Sequence, residues 1–144
     1  MSECKDGDSD HLRLLPMVDV VSVDISPNPA VLTDELNLEV DFRLDKDVEN
    51  GVWEIQYLVD SVQKRHIINL GELKPKDYRE GDNHFQFSVS HVDVSGIEPS
   101  QLTNCGLLIA SFKGDEGDIM DLKMVVQVSE QRGELNRIIY NPLE

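Results

Sequence analysis

A chain of 144 residues with 40% hydrophobic content has room for one hydrophobic core and is thin for two. Its 28 acidic against 13 basic side chains leave a net charge of −15, a field that repels nucleic acid and anionic membranes and attracts basic partners, although solubility alone would explain the same surplus. There is no run of about 18 apolar residues and no basic-then-apolar order at Met1 to Asp6, so a soluble, intracellular protein is expected. Two cysteines, Cys4 and Cys105, are too few for a disulfide framework and fit a reducing compartment.

In chain order, residues 1–16 read as a disordered acidic tail: Ser2 to Asp10 is small and charged without any period, and Pro16 closes a short apolar patch of Leu12, Leu14 and Leu15. The body, residues 17–130, reads as strand after strand. Val18, Val20, Val21, Val23 and Ile25 form the first, ended by Ser26-Pro27-Asn28-Pro29, where prolines remove ladder donors. The second is the clearest, because Leu36, Leu38, Val40, Phe42 and Leu44 alternate with Asn37, Glu39, Asp41 and Arg43, the period of a strand with one face buried. After an acidic connection, Asp45 to Gly51, the third carries Trp53, Ile55, Tyr57 and Val59 on one parity. His66 to Leu70 is the fourth, and a long polar loop, Lys74 to Asn83, leads to the fifth with Phe85, Phe87 and Val89. Pro99-Ser100 starts a helical turn. Leu107 to Lys113 and Leu122 to Val128 pair as a hairpin around Gly114-Asp115-Glu116-Gly117. Leu135, Ile138 and Ile139 have helical spacing before Asn141-Pro142, so residues 131–144 read as an arm or a short helix. About seven strands separated by turn signals describe an all-β, immunoglobulin-like β-sandwich, a class in which binding modules outnumber enzymes.

Signatures of catalysis are missing. His66 and His84 fall on strands, His91 at a strand end and His11 in the tail, none at zinc-ligand spacing. Asp115, Glu116, Asp118 and Asp121 lack the alternating ligand order of a calcium loop and read as a solvated turn. Cys105, beside an apolar run, reads as a buried inert thiol, with a cysteine–histidine nucleophile as the minor alternative. No enzymatic activity, cofactor or metal is expected.

The order VVSVDISPNPAVLTDELNLEVDFRL, GVWEIQYLVDS, HIINLGEL, an Ile-Glu-Pro turn, CGLLIASFKG and LKMVVQV resembles the anti-silencing histone chaperones over residues 18–130. Asn28-Pro29, Phe42, Trp53, Ile55, Tyr57, Leu70-Gly71 and Phe112-Lys113-Gly114 stand where that family carries its characteristic residues. The resemblance implies a sandwich that binds the dimer of histones three and four on one sheet face and assembly partners on the opposite edge. By position the histone face would be Leu58, Cys105, Leu107 and Ile109, with Lys123 where the family has arginine. Read from the residues alone, the same alternation also fits side chains facing the core. The partner edge would be Asp45, Asp47 and Glu49 with an exposed Ile68 and Leu70, suited to strand addition by a basic peptide unless their parity turns them inward.

Two departures from the family accompany this match. Lys64, Arg65 and His66 stand where the family leads one to expect acids, and the C-terminal Asn141-Pro142-Leu143-Glu144 lacks the family's arginine. They leave a second reading, a non-enzymatic scaffold of the same fold that binds a basic peptide or strand instead of histones. The expected state is a monomer, nuclear or alternatively cytoplasmic, bound to protein and not to nucleic acid or membrane.

Overall fold

The alternation of Leu36–Leu44 is realised in full in the computed structural model, which describes residues 15–60, 65–103 and 105–143. Among the described residues, ten strands and one helical turn follow in order: β1 (Val18–Ser26), β2 (Ala30–Val31), β3 (Leu36–Leu44), β4 (Val48–Asp60), β5 (Arg65–Glu72), β6 (Lys76–Tyr78), β7 (Gly81–Val89), α1 (Pro99–Leu102), β8 (Cys105–Gly114), β9 (Gly117–Gln131) and β10 (Glu134–Ile139). β3 is the centre of a three-stranded sheet, β1-β3-β7, and its apolar parity points at a seven-stranded sheet ordered β2-β10-β9-β8-β4-β5, with β6 also paired to β4. All the strand pairs are antiparallel. The expected immunoglobulin-like sandwich is therefore the observed one.

Aromatic rings fill the space between the sheets. Trp53 from β4 stacks on Phe112 of β8 at 4.5 Å and on Phe85 of β7 at 4.3 Å, and Phe42 of β3 meets its edge at 5.2 Å. One indole thus ties both layers together, which is why it is fully buried. Tyr78, on β6, closes the cluster end-on against Phe112 at 5.3 Å. Gly51 makes room for it: a β-carbon there would sit 2.7 Å from the Tyr78 ring.

Several details correct the sequence-based picture of single elements. Val20 and Val21 are adjacent because β1 has a bulge between Val20 and Ser22, which moves the inward parity from Val18 and Val20 to Val23 and Ile25 and leaves Val21 exposed. The segment expected to be an arm or a short helix holds a strand instead. Glu134–Ile139 is strand β10, paired along its length with β9 and extending the sandwich past residue 130. Its period is disguised by Arg137, which occupies an inward position and is 2% exposed. The guanidinium donates through Nη1 to the carbonyls of Leu32 and Asp34 at 2.9 and 3.0 Å, and through Nη2 to that of Glu35. Burial holds its pKa below the ordinary arginine value, while the Asp34 charge opposes that shift. The polar stretch 74–83 likewise contains β6 and the start of β7, and the acidic connection ends early, at Val48. The helical turn at Pro99 is present, with Leu102 buried. Of the proposed tail, residues 1–14 lie outside the described residues, as does Lys64.

Candidate protein-binding face

On a strand with one buried face, two consecutive apolar residues must put one of the pair outside. Five strands of the large sheet carry or border such doublets: Tyr57-Leu58 on β4, Ile67-Ile68 on β5, Leu107-Leu108 on β8, Val125-Val126 on β9 and Ile138-Ile139 on β10. Tyr57, Leu108, Val126 and Ile139 go to the core and Ile68 packs against it; the partner of each faces out, half-buried or exposed.

The register then gathers the outward members. Leu58 lies opposite Ile67 on one side and Leu107 on the other; Leu107 lies opposite Val125. Tyr140, just after β10, donates its N–H to the Val125 carbonyl at 2.9 Å. Its hydroxyl donates to Gln127 Oε1 at 2.6 Å, which holds the ring on this face. Ile109 joins from the next row, between Gln56 and Lys123, and Cys105 flanks the other side, opposite Gln127, which in turn lies opposite Ile138. Ile67, Val125, Ile138 and Tyr140 are 60, 44, 40 and 48% exposed, so they cluster as uncovered apolar surface on one side of the sheet. Gly106 permits the close approach of β8 to β4, since a β-carbon there would meet the Leu58 carbonyl at 2.5 Å.

The predicted residues Leu58, Cys105, Leu107, Ile109 and Lys123 are thus brought together on one outer face. None of them is a core residue, and Cys105 is exposed where a buried thiol was expected. Sequence reading missed Ile67, Val125, Ile138 and Tyr140, although the doublets that expose the first three are visible in it. Toward the start of β4 the same face turns polar. Gln56 donates to Glu54 and Asn69 at 2.9 and 2.7 Å, and Lys113 stands 3.7 Å from Glu54.

The second predicted set does not assemble. Ile68 and Leu70 are not exposed: both are half-buried and packed against the core, because β5 presents Ile67 and Asn69 outward instead. The acids sit elsewhere, since Ile68 pairs with Tyr57 of β4 while Glu49 lies eight residues back, roughly 26 Å at the strand rise. Asp45 and Asp47 are also engaged at that end: Asp45 Oδ1 accepts the Met17 N–H and Asp47 Oδ1 the Glu80 N–H, each at 2.7 Å. Glu49 is exposed there.

On the outside of the small sheet, Ser22 donates to Asp41 at 2.7 Å and His84 Nδ1 lies 2.6 Å from the same carboxylate. Those two contacts, His84 first, hold the Asp41 carboxyl below its ordinary pKa. Serine and histidine both bond to the aspartate, so the hydroxyl has no imidazole base in contact, unlike a nucleophile relay. Among the described residues no three metal-ligating side chains converge, and no helix is long and apolar enough to cross a membrane.

Comparison with known proteins agrees with the fold. The chain matches the ASF1 like histone chaperone family over residues 15–138. It is 24% identical over 106 residues to the probable histone chaperone asf-1 of Caenorhabditis elegans, and 23% identical over 106 residues to the probable histone chaperone asf-1-like protein of the same organism. Both alignments cover 73% of this chain but 38 and 43% of those proteins, so the chain spans about two fifths of the curated relatives it matches. With a match that runs from before β1 to nearly the end of β10, the chain belongs to the ASF1-like family of histone chaperones.

Proposed function

We propose that this protein is a histone chaperone that holds the dimer of histones three and four on the outer face of its large sheet. The observation that carries this reading is the row of outward apolar side chains, Leu58, Leu107 and Val125 with Ile109 and Cys105 beside it, on a domain whose net charge is −15. An apolar centre supplies the desolvated contact and the acidic field draws in a strongly basic partner. Lys123, opposite Ile109 at the border of the row, is placed to pair with an acid of the partner. The activity is binding and transfer, with no chemical step, and its place of action is the nucleus.

Assembly partners would meet a different part of the sandwich, the acidic end at Asp45, Asp47 and Glu49, through a basic segment and without help from Ile68 or Leu70. The inward packing of those two residues disfavours the alternative of a scaffold that takes a peptide strand there.

Salt separates apolar docking from charge attraction. Purified protein and histone dimer should form a stoichiometric complex that survives at about 0.3 M salt, where the screening length falls below 10 Å. A complex that disperses at that salt would mean that non-specific charge attraction accounts for the binding.

A further inference from the structure

The loop between β7 and α1 offers serine hydroxyls in an acidic setting. Of the serines and threonines in the chain, only Ser90 and Ser95 have an acid three residues on, Asp93 and Glu98 respectively. No lysine or arginine occurs from Glu80 to Phe112 and neither serine precedes a proline, so an enzyme that selects these hydroxyls has to recognise the carboxylates, through a basic groove.

Both serines are exposed, but their surroundings differ in how easily they open. Two residues after Ser90 comes Val92, which is 3% exposed and donates its N–H to the Thr33 carbonyl at 3.1 Å, so Ser90 and Asp93 cannot be drawn out together unless the core gives way. Ser95 lies in a turn held by its own neighbours. Its N–H donates to Asp93 Oδ1 at 3.0 Å, its hydroxyl donates to the same carboxylate, and the Ile97 N–H donates to the Val94 carbonyl at 3.2 Å. The two Ser95 contacts, the hydroxyl first, hold the Asp93 carboxyl below its ordinary pKa. Gly96 turns the corner at a φ of 89°, with nothing within 4 Å of where a β-carbon would stand. Extending the turn lifts the half-buried Val94 and Ile97 and leaves the buried Val92 and Leu102 on either side in place. Ser95, Gly96, Glu98 and Pro99 are all exposed, so the serine and its acid face solvent together.

We infer that Ser95 is a phosphorylation site for an acid-directed serine kinase, and that the phosphate opens the turn that the Ser95 hydroxyl now closes. The Ser95 oxygen attacks the γ-phosphorus of magnesium-bound ATP, the new O–P bond forms as the bond to ADP breaks, and the hydroxyl proton passes to the kinase's base. The modified residue has no hydroxyl proton to give Asp93, and it sets a charge of about −1.5 to −2 beside that carboxylate. Like charges repel, so the contact that closed the turn becomes the force that opens it.

The test incubates the folded wild-type protein with a casein-kinase-type, acid-directed serine kinase, magnesium and ATP, beside Ser95→Ala, Ser90→Ala, Glu98→Gln and a synthetic peptide of residues 88–101, with the phosphate located by mass spectrometry. The expected result is phosphate on Ser95 in the wild type and in Ser90→Ala, none on this loop in Ser95→Ala, a rate lower by about tenfold or more for Glu98→Gln, and faster amide exchange at Ser95 and Ile97 once the phosphate is on. A folded protein that stays unmodified overturns the proposal, either because the turn shields the serine, if the peptide is accepted, or because the sequence is not recognised, if the peptide is refused. Phosphate on Ser90 in place of Ser95, an unchanged rate for Glu98→Gln, or unchanged exchange at Ser95 after modification overturns it equally.

Discussion

The two sheets obey the same rule on their inner faces and differ on their outer ones. In the small sheet, β3 and β7 alternate strictly: Leu36, Leu38, Val40, Phe42 and Leu44 go in, as do Phe85 and Phe87, while Glu39, Asp41, Arg43, Asp82, His84 and Gln86 stay in water. In the large sheet β5, β4, β8, β9 and β10 each carry an apolar doublet; the outward members Ile67, Leu58, Leu107 and Val125 align into one row, with Ile138 beside it. Folding requires the inner pattern in both sheets. It does not require the outer pattern of the large sheet, so an aligned apolar surface there is a mark of function rather than of stability.

The largest effect should come from breaking what the two sheets share. Trp53→Ala removes the ring that stacks on Phe112 and Phe85, and should cost about 3 to 5 kcal/mol in chemical denaturation. Leu107→Ala should separate the faces: it removes an outward, half-buried side chain, so stability should fall by only about 1 kcal/mol while histone affinity falls much further. Equal losses in both measurements would place Leu107 in the core and erase the contrast.

Much of this contrast was legible in the chain. The parity of β3 and β4 identified the sandwich, and the doublets of β8 and β9 were plain, yet alternation alone cannot say which member of a doublet faces out. That is decided by register: β5 carries Ile67 and Ile68 on both parities, and its pairing with β4 turns Ile67 out and Ile68 in. The same ambiguity left the parity of Ile68 and Leu70 open, and both pack against the core. β10 went unrecognised because Arg137 fills an apolar position and its Nη1 and Nη2 donate to three backbone carbonyls while Nε stays unpartnered, an arrangement invisible in sequence. β6 is three residues long and mostly polar, and has no period to find.

Two smaller effects concern pH and sharpen the same distinction. Tyr57, on the inner face beside Arg137, has its pKa pushed up to about 12 by burial, which the nearby Arg137 charge partly opposes. An acid whose folded pKa is raised contributes stability that is intact below the unfolded value of about 10 and is lost as pH climbs from there toward about 12. Thermal midpoints should therefore fall above about pH 10, and Tyr57→Phe should flatten that decline. Asp41, on the outer face of the small sheet, behaves oppositely. Its pKa is lowered by the contacts to His84 and Ser22, so its contribution is present above the unfolded value of about 3.9 and disappears as pH falls through the folded one. Asp41→Asn should make midpoints less sensitive to pH in that acidic range, by a small amount because the group is fully solvated. An unchanged acid profile would show that the Ser22–Asp41–His84 contacts do not persist in solution.

The most direct test of the functional contrast is methyl NMR of the protein with and without the dimer of histones three and four, because isoleucine, leucine and valine probes lie on both sheets. The account predicts shifts at Leu58, Ile67, Leu107, Ile109, Val125 and Ile138, with Val20, Val21 and Ile25 of β1 unmoved. Shifts concentrated on β1 with Leu107 and Val125 unchanged would contradict it.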